Sequence, residues 1–562
     1  MFKQNNQPKL FTFENELDEH QRKLLSETPE KWFYHLIFRS INERDFKPLF
    51  SEKDSRPNAP VNVLVSAIIL KEIKGWSYNE LIDNVIFDLR AKAALGLSNI
   101  GERPFSRATI FNFQNRIQAY EKKTGINLIE LVFNNLTTEQ IKKLEVKTHI
   151  QRSDSTLIGS NIRNYSRIQL LIEVLLRLYR KLEEQDKQQF ADQIKGYRQK
   201  GSEKYVYALK SSDLPHELEK LGILYKQLHD RLQGKYNDYD EWQIFQRVFQ
   251  EHFIVSQEKT TVRPSELLGS DSLQSPDDRD ATYRNKRGEM VKGYTYNVTE
   301  TAHPDNSLQL INDVAIAPCN KDDSTIRNER IGPIKKKTPD LQEIHTDGGY
   351  GSEAIDQTME QEKILHVTTA VKGRESQVQK TIEKLREDSG NYKVSCSFQT
   401  VESTPTKKKN KAVFDIQICN NCKLKDQCGI YKKNGRFYFT HEDYLKNQRN
   451  RNIDKIPPER RKIRPNVEAT IREFTIKAPG DKLKVRGMFK VSLFAFAVAI
   501  GINFGRIYRY VRANYPYFEK IQPQIGTSLK KISILAFSQE ILYVAMHIKA
   551  PVGVLRICSK FI

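Results

Sequence analysis

Strand signals in this chain are few and far apart, and this separation constrains the fold more than any other feature. The chain has 562 residues, and strand signals occur at Leu144–Asn161, Gly293–Glu300, Leu308–Pro318 and Glu343–Ser352. From about residue 165 to 256 the chain instead has helical periodicity, as in RIQLLIEVLLRLYRKLEEQ. The sequence therefore predicts an α+β protein of several domains.

The first 143 residues are predicted to form a helical domain. Val61–Lys74 is an apolar helix that Gly75 ends, and Ser77 and Glu80 form a capping box for the next helix. A third helix carries the polar side chains Arg107, Asn112, Gln114, Asn115 and Arg116. Two interpretations stay open: a helix-turn-helix type of DNA contact, and a helical bundle whose polar residues face water.

A large excess of positive charge favours a phosphate-bearing partner. Lysine and arginine number 91 against 70 acidic residues, which gives a net charge of +21. Nucleic acid suits such a surplus, because each neutralised phosphate releases counterions; a generally lysine-rich surface is the alternative. The charge is concentrated in TKKKNK (Thr406–Lys411) and in Lys446–Arg464, where eight of 19 residues are basic.

No membrane segment is expected. The opening residues, MFKQNNQPKL, are too polar for a secretory signal. The longest apolar run, Val491–Phe504, is too short to span a bilayer and predicts a buried helix. We therefore expect a cytoplasmic protein that associates with the nucleoid if its partner is DNA.

Three acidic residues occupy positions suited to holding metal ions. Asp154 and Asp347 are each predicted to end a strand, and Glu468 lies on a helix predicted to begin near Pro465. Carboxylate oxygens are the ligands that Mg²⁺ prefers. Two such ions about 4 Å apart can promote in-line displacement at phosphorus.

Each acid also has an ordinary interpretation. Asp154 would belong to a turn or a helix cap, Asp347 to an Asp-Gly hairpin, and Glu468 to a surface ion pair with Arg472. The two glycines after Asp347 would let the backbone pass close to a bulky ligand such as DNA. Tyr350 is then expected to contact that ligand.

A compact group of cysteines lies late in the chain. Cys419, Cys422 and Cys428 form a C-x-x-C-x5-C pattern, and Cys396 precedes it with 22 residues between. Four thiolates at such spacing would suit a tetrahedral structural zinc ion. The alternative is a set of reduced cysteines without a metal.

Taken in order, these segments resemble the DDE transposases of bacterial insertion sequences. Within them the chain is similar to the branch with a helical amino-terminal domain and a cysteine-bearing insertion, over about residues 55–510. The likeness is carried by QRSDSTLIGSNI around Asp154, the segment Ser275–Thr301, EIHTDGGYGS, the cysteine pattern, RPNVEATIREF (Arg464–Phe474) and KVRGMFKV (Lys484–Val491).

The resemblance implies a ribonuclease-H-like catalytic core, a mixed sheet with helices, in which Asp154, Asp347 and Glu468 hold Mg²⁺ or Mn²⁺. It implies that residues 1–143 form a helical amino-terminal domain that binds DNA ends. Residues 144–374 are the first part of the core and include a helical insertion at about 162–270. A basic cysteine-bearing insertion (375–445), the second part of the core (446–513) and a tail (514–562) follow.

The resemblance also implies residues that contact DNA. Arg464 fits a family arginine in the pattern Arg-x-x-x-Glu, whereas Arg461 stands where the family has tyrosine. Lys477 lies two residues beyond the place of the family's lysine, and Asp280 is interpreted as a supporting residue and not a ligand. The predicted DNA-contacting set is Arg107, Arg116, Lys407, Lys408, Lys409, Arg461, Arg464 and Lys477.

The activity implied is cleavage of the element's terminal inverted repeats and joining of the freed 3′-hydroxyl to target DNA, by a homodimer on double-stranded DNA. One alternative is a metal-dependent nuclease that does not join. The other is an inactive, transposase-derived DNA-binding protein, which the unusually apolar tail after Asn514 would favour.

Overall fold

The structure is a computed structural model that describes residues 1–5, 12–53, 57–256, 259–286, 288–368, 380–386 and 390–514, so the predicted tail beyond Asn514 lies outside the described residues. Its amino-terminal part is helical as predicted. Gly75 ends the third helix at φ +71°, and the capping box of Ser77 and Glu80 begins the fourth. The helices are α1 (Glu19–Ser26), α2 (Pro29–Leu36), α3 (Val61–Lys74), α4 (Tyr78–Phe87), α5 (Leu89–Ala94), α6 (Arg107–Thr124) and α7 (Leu128–Lys143).

A helical insertion follows the first core strand. That strand, β1, spans Ile150–Gly159. The insertion contains α8 (Arg167–Lys181), α9 (Glu184–Tyr207), α10 (Leu214–Leu232), α11 (Asp240–His252), β2 (Phe253–Val255) and β3 (Thr260–Val262). Its helices enclose a separate apolar core that includes Leu171, Tyr225, Trp242 and Phe245. The insertion therefore packs around an apolar core of its own, separate from the sheet that contains β1.

The centre of the molecule is a mixed six-stranded sheet. Its later elements are β4 (Thr282–Lys286), β5 (Glu289–Thr301), β6 (Ile311–Pro318), α12 (Asp323–Lys337), β7 (Glu343–Thr346), α13 (Glu353–Gln361) and β8 (Leu365–Thr368). The strand order is β4-β5-β1-β7-β8, and β6 also pairs with β5. β5 runs antiparallel to β1 and β6, whereas β7 is parallel to β1 and β8 is parallel to β7.

The prediction that the first strand ends at Asp154 is wrong, because β1 continues to Gly159. Antiparallel pairing with β5 carries the strand onward, with Asp154 opposite Val298 and Gly159 opposite Gly293. Pairing with β7 stops earlier, at Arg152 opposite His345. Asp154 therefore lies on a continuous strand, just beyond its last pair with β7.

The cysteine-bearing part of the chain forms a lobe with a second sheet, which the sequence did not predict. The lobe contains β9 (Thr381–Lys384), β10 (Tyr392–Ser395), β11 (Thr400–Pro405), β12 (Asn410–Val413), α14 (Ile416–Asn420), β13 (Arg436–Phe439) and α15 (His441–Arg451). Its five strands follow the order β13-β12-β11-β10-β9 and are all antiparallel. Strands of four to six residues give little periodicity to detect.

The last two helices of the described residues join the sheet to the amino-terminal helices. They are α16 (Val467–Thr475) and α17 (Met488–Asn514). The predicted burial of the apolar run is confirmed, since α17 packs against α3, α7 and β6. In the described part of the chain, α17 is the one helix long and apolar enough to cross a membrane, and most of it is buried inside the fold. The predicted α+β multidomain class with a helical amino-terminal part is confirmed.

Candidate active site

Asp154 and Asp347 come from neighbouring strands of the central sheet. β1 and β7 are parallel, and their pairs run from Ile150 opposite Glu343 to Arg152 opposite His345. Continuing this register by two residues along both strands aligns Asp154 with Asp347. This alignment brings the two residues to the same end of the β1–β7 pair, although nearly 200 residues separate them in sequence.

Asp347 follows β7 directly, as predicted, and its side chain caps the next turn. The carboxylate Oδ1 accepts a hydrogen bond of 2.8 Å from the backbone N–H of Gly349. A Cβ at position 349 would lie 3.0 Å from that oxygen, so glycine leaves room for the cap. The chain then enters α13 and not a second hairpin strand, so the Asp-Gly hairpin interpretation is wrong.

Tyr350 is buried, contrary to the expectation that it contacts DNA. Its side chain is 0% exposed, and its hydroxyl accepts a 2.7 Å hydrogen bond from Asn297 Nδ2. Asn297 Oδ1 in turn accepts from the buried guanidinium of Arg327, which also donates to Thr299. These residues form a polar layer beneath β1. The sequence indicates this polar layer through the polar residues of β5. Polar side chains inside a strand that is buried on both faces need hydrogen-bond partners.

Glu468 reaches Asp154 through an arginine. Glu468 lies in the first turn of α16, and its side chain is 63% exposed. Arg464 donates from Nη1 to Glu468 Oε1 at 2.7 Å and from Nη2 to Asp154 Oδ2 at 2.6 Å. The expected ion pair between Glu468 and Arg472 is therefore replaced by one with Arg464, from the turn before the helix.

The electrostatics of Asp154 reflect all three acids. Burial raises the pKa of this carboxyl above its usual value, while Arg464 and the N–H of Ser155 lower it. Asp347 and Glu468 raise the pKa further through their negative charges. Because electrostatic interactions weaken with distance, these effects indicate that Asp347 and Glu468 lie near Asp154 and share one local electrostatic field with it.

A buried charge network fixes α16 on the sheet. Glu300 of β5 is fully buried and binds Arg152 of β1 at 2.7 Å and Arg506 of α17 at 2.7 Å. Thr470 of α16 donates to the same carboxylate at 2.8 Å. Sequence reasoning missed this network; its signal was a lone glutamate at the end of an otherwise neutral strand segment, GYTYNVTE.

Two segments of the chain match transposase families. Residues 389–508 match the family described as Transposase DDE domain, and residues 22–116 match the Transposase domain DUF772. These two matches support a DDE transposase of the insertion-sequence type. No curated protein and no solved structure matches it. The DDE match contains Glu468, whereas Asp154 and Asp347 precede the matched residues.

The predicted DNA-contacting residues lie on several separate elements of the chain. Lys407, Lys408 and Lys409 are exposed in the turn between β11 and β12. On α6, Arg107 donates to Asn79 at 2.9 Å and Arg116 lies over the ring of Phe50. Both α6 arginines remain exposed, so the helix still presents positive charge to solvent.

Lys477 and Arg461, two further residues of the predicted DNA-contacting set, each lie near a partner within the chain. Lys477 donates to the carbonyl of Ile73 at 2.6 Å, near the carboxyl end of α3, and is partly buried. Such an end carries unsatisfied carbonyls and partial negative charge. Arg461 is exposed and lies 3.9 Å from Asp454. Lys477 thus connects the amino-terminal helices with the core, whereas Arg461 is open to solvent.

Four of the six cysteines of the chain lie around a cavity in the lobe. Cys396, Cys419, Cys422 and Cys428 all line this cavity of about 20 Å³. As they stand, no group of three or more His, Cys, Asp or Glu residues among those described has the geometry to hold a metal ion.

Proposed function

We propose that this transposase cleaves the ends of an insertion sequence and joins the freed 3′-hydroxyl to target DNA, with Asp154, Asp347 and Glu468 as ligands of Mg²⁺ or Mn²⁺. The observation that carries the proposal is the strand register of the two aspartates together with the arginine that links Asp154 and Glu468. Asp154 and Asp347 continue neighbouring parallel strands, and one guanidinium links Asp154 with Glu468.

The strand order supports a ribonuclease-H-like core. β6, β5 and β1 form an antiparallel series, and β7 and β8 extend it in parallel on the far side of β1. Helix α12 connects β6 to β7, and α13 connects β7 to β8. This arrangement places β1 at the centre of the sheet, where Asp154 pairs with β5 on one side and lies just beyond the last pair with β7 on the other.

The chemistry of the three acids fits a hard divalent cation. All three supply carboxylate oxygens, which such cations prefer. Their shared field favours a cation, and Arg464 already provides one between Asp154 and Glu468. When bound there, Mg²⁺ would act as a Lewis acid that activates the attacking oxygen and stabilises the leaving one.

Arg464 is proposed to change partners during the reaction. Its two N–H donors hold Asp154 and Glu468, and its side chain is 16% exposed. A guanidinium matches a phosphate in bidentate geometry as well as it matches carboxylates. We assign Arg464 to the carboxylates before DNA binds and to a DNA phosphate beside the site afterwards.

The polar layer beneath Asp154 is proposed to keep the site rigid and dry on its inner side. Arg327 and Tyr350 are fully buried, and their hydrogen bonds run through Asn297. A buried hydrogen-bonded network resists rearrangement. The reacting strand would therefore meet the acids from the exposed side, where Glu468 lies.

Basic residues around the core are proposed to hold the DNA. The Lys407–Lys409 turn and the α6 arginines are exposed and free to contact phosphates, as is Arg461. We place element ends along α6 and the lobe, bound by a homodimer that pairs two ends. Lys477 is assigned to the junction with α3, because its ammonium is already used there.

A strand-transfer assay tests the proposal. The transposase is incubated with Mg²⁺, a duplex carrying the inverted repeat beside its gene with a pre-cut 3′-hydroxyl, and a supercoiled target plasmid. We expect joined products from the wild type and from Asp305→Asn, an exposed control, and none from Asp347→Asn. Nicking of an uncut end without any joining would support a nuclease instead, and no reaction at all would support an inactive DNA-binding protein.

A further inference from the structure

Four free thiols of the lobe meet at one small cavity. Cys396 follows β10, Cys419 lies on α14, and Cys422 and Cys428 lie on the turns after it. The cavity measures about 20 Å³, and none of the described residues that line it is a histidine, aspartate or glutamate. None of the four is in a disulfide. The wall therefore offers sulfur alone as a strong ligand.

Two N–H groups point at these sulfur atoms. The backbone N–H of Leu424 donates to Cys422 Sγ at 3.4 Å, and Gln399 Nε2 donates to Cys419 Sγ at 3.2 Å. Donors of this kind favour a thiolate over a thiol and orient metal-bound ligands. The N–H of Cys422 also bonds to the carbonyl of Cys419 at 3.1 Å, so the pair lies on one tight turn.

The thiols are close enough to affect one another. All four cysteines line the same cavity of about 20 Å³. Several thiolates in such a space would repel each other unless a cation lay among them. A bound divalent cation removes that repulsion, and its binding displaces the thiol protons.

The cavity lies between two parts of the lobe. Cys396 belongs to the turn between β10 and β11, whereas the other three cysteines belong to the α14 region. Gln399 bonds across to the backbone of Asp415 at 2.9 Å. The surrounding core is small, with residues such as Val394, Phe414 and Ile430. Small cores of this kind commonly depend on a disulfide or a metal.

We propose that Cys396, Cys419, Cys422 and Cys428 bind one zinc ion as a structural tetrathiolate centre. Zinc takes four thiolates in tetrahedral geometry at about 2.3 Å. The sulfurs do not have ligand geometry as they stand, and rotation about each single Cα–Cβ bond can bring them inward. Sulfur ligands also distinguish this centre from the oxygen ligands of the three acids, which suit Mg²⁺.

Metal analysis of the full chain tests this centre. The transposase is produced in zinc-supplemented medium, dialysed and measured by inductively coupled plasma mass spectrometry. We expect about one zinc per chain in the wild type, and a loss of at least about ten-fold in Cys422→Ser and Cys428→Ser, since three ligands bind zinc less well. Cys319→Ser, a cysteine outside the lobe, is the matched control and keeps its zinc.

Two further samples keep the test decisive. Cys422→His retains a zinc ligand and is expected to keep the metal, which separates loss of a ligand from loss of the fold. Asp347→Asn is expected to keep zinc while losing DNA cleavage, so failure of this proposal and failure of the catalytic proposal are distinguishable. Wild type without zinc, or with a disulfide among the four cysteines after purification under reducing conditions, would overturn the inference.

Discussion

Helix α16 is held by two charge networks that differ in exposure. The rim network consists of Arg464, Asp154 and Glu468, and the Glu468 side chain is 63% exposed. The buried network is centred on Glu300, which is 0% exposed and bonded to Arg152, Arg506 and Thr470.

The two networks differ in how easily their charged groups can exchange partners. Removing a partner from a buried ion pair leaves an uncompensated charge, so the buried network cannot rearrange cheaply. Charges near solvent can exchange partners at small cost. The buried network therefore fixes where α16 lies, and the rim network remains able to bind a cation or a phosphate.

The largest effect on cleavage is expected for Asp347, a proposed metal ligand beside the rim network. Asp347→Asn removes a charged ligand and should lower the rate of end cleavage by at least about 1,000-fold, because a metal contributes several kcal/mol to the transition state. Affinity for end DNA should change little. Cleavage kinetics and a gel-shift assay measure the two, with Asp305→Asn as the control. A cleavage rate within ten-fold of wild type would contradict the assignment of Asp347.

The buried network should dominate stability. Glu300→Ala leaves Arg152 and Arg506 without their acidic partner and should lower the free energy of unfolding by about 3–5 kcal/mol. Urea titration measures this loss. Glu473→Ala, which removes a partly exposed partner of Arg506, is the control and should cost less than about 1 kcal/mol. Equal losses in the two variants would remove the distinction between the networks.

Arg464 should show the opposite pattern to Glu300. Arg464→Ala removes the charge that holds Asp154 and Glu468 and should slow cleavage by about 100-fold, an effect typical of a lost charge-stabilising donor. The free energy of unfolding should fall by less than in Glu300→Ala, because one of the two partners of Arg464, Glu468, is 63% exposed. Arg464→Lys keeps the charge without the bidentate geometry and should recover part of the rate. A variant that is unstable but fully active would refute this role.

A smaller effect is expected in the polar layer below Asp154. Tyr350→Phe leaves the Asn297 amide without its acceptor and should destabilise the fold by about 1–2 kcal/mol. Thermal unfolding measures the change, and Tyr438→Phe, at an exposed site in the lobe, is the matched control. An unchanged melting temperature in Tyr350→Phe would show that the layer contributes little.

Sequence reasoning succeeded where a few adjacent residues determine the structure. Gly75, the Ser77–Glu80 cap and the apolar run of α17 act locally, and each occurs as predicted. Asp347 also follows its strand as predicted. These features depend on backbone conformation and side-chain polarity within one or two turns, which the sequence displays directly.

The errors involve partners that are distant in sequence. β1 extends past Asp154 because β5 pairs with it, and β5 lies beyond the whole helical insertion. Tyr350 is buried because Asn297 binds it, 53 residues away. Glu300 acquires its role from Arg506, 206 residues later. Whether Asp154, Asp347 and Glu468 act as metal ligands remains a prediction.

Iron-mediated backbone cleavage tests the convergence of the three acids most directly. Fe²⁺ replaces Mg²⁺ in the full chain without DNA, and ascorbate and peroxide then generate radicals that cut the polypeptide near the bound ion. We predict cuts close to residues 154, 347 and 468 in the wild type, and their loss in Asp347→Asn. Cuts confined to other segments, or a pattern unchanged in Asp347→Asn, would contradict a shared metal site.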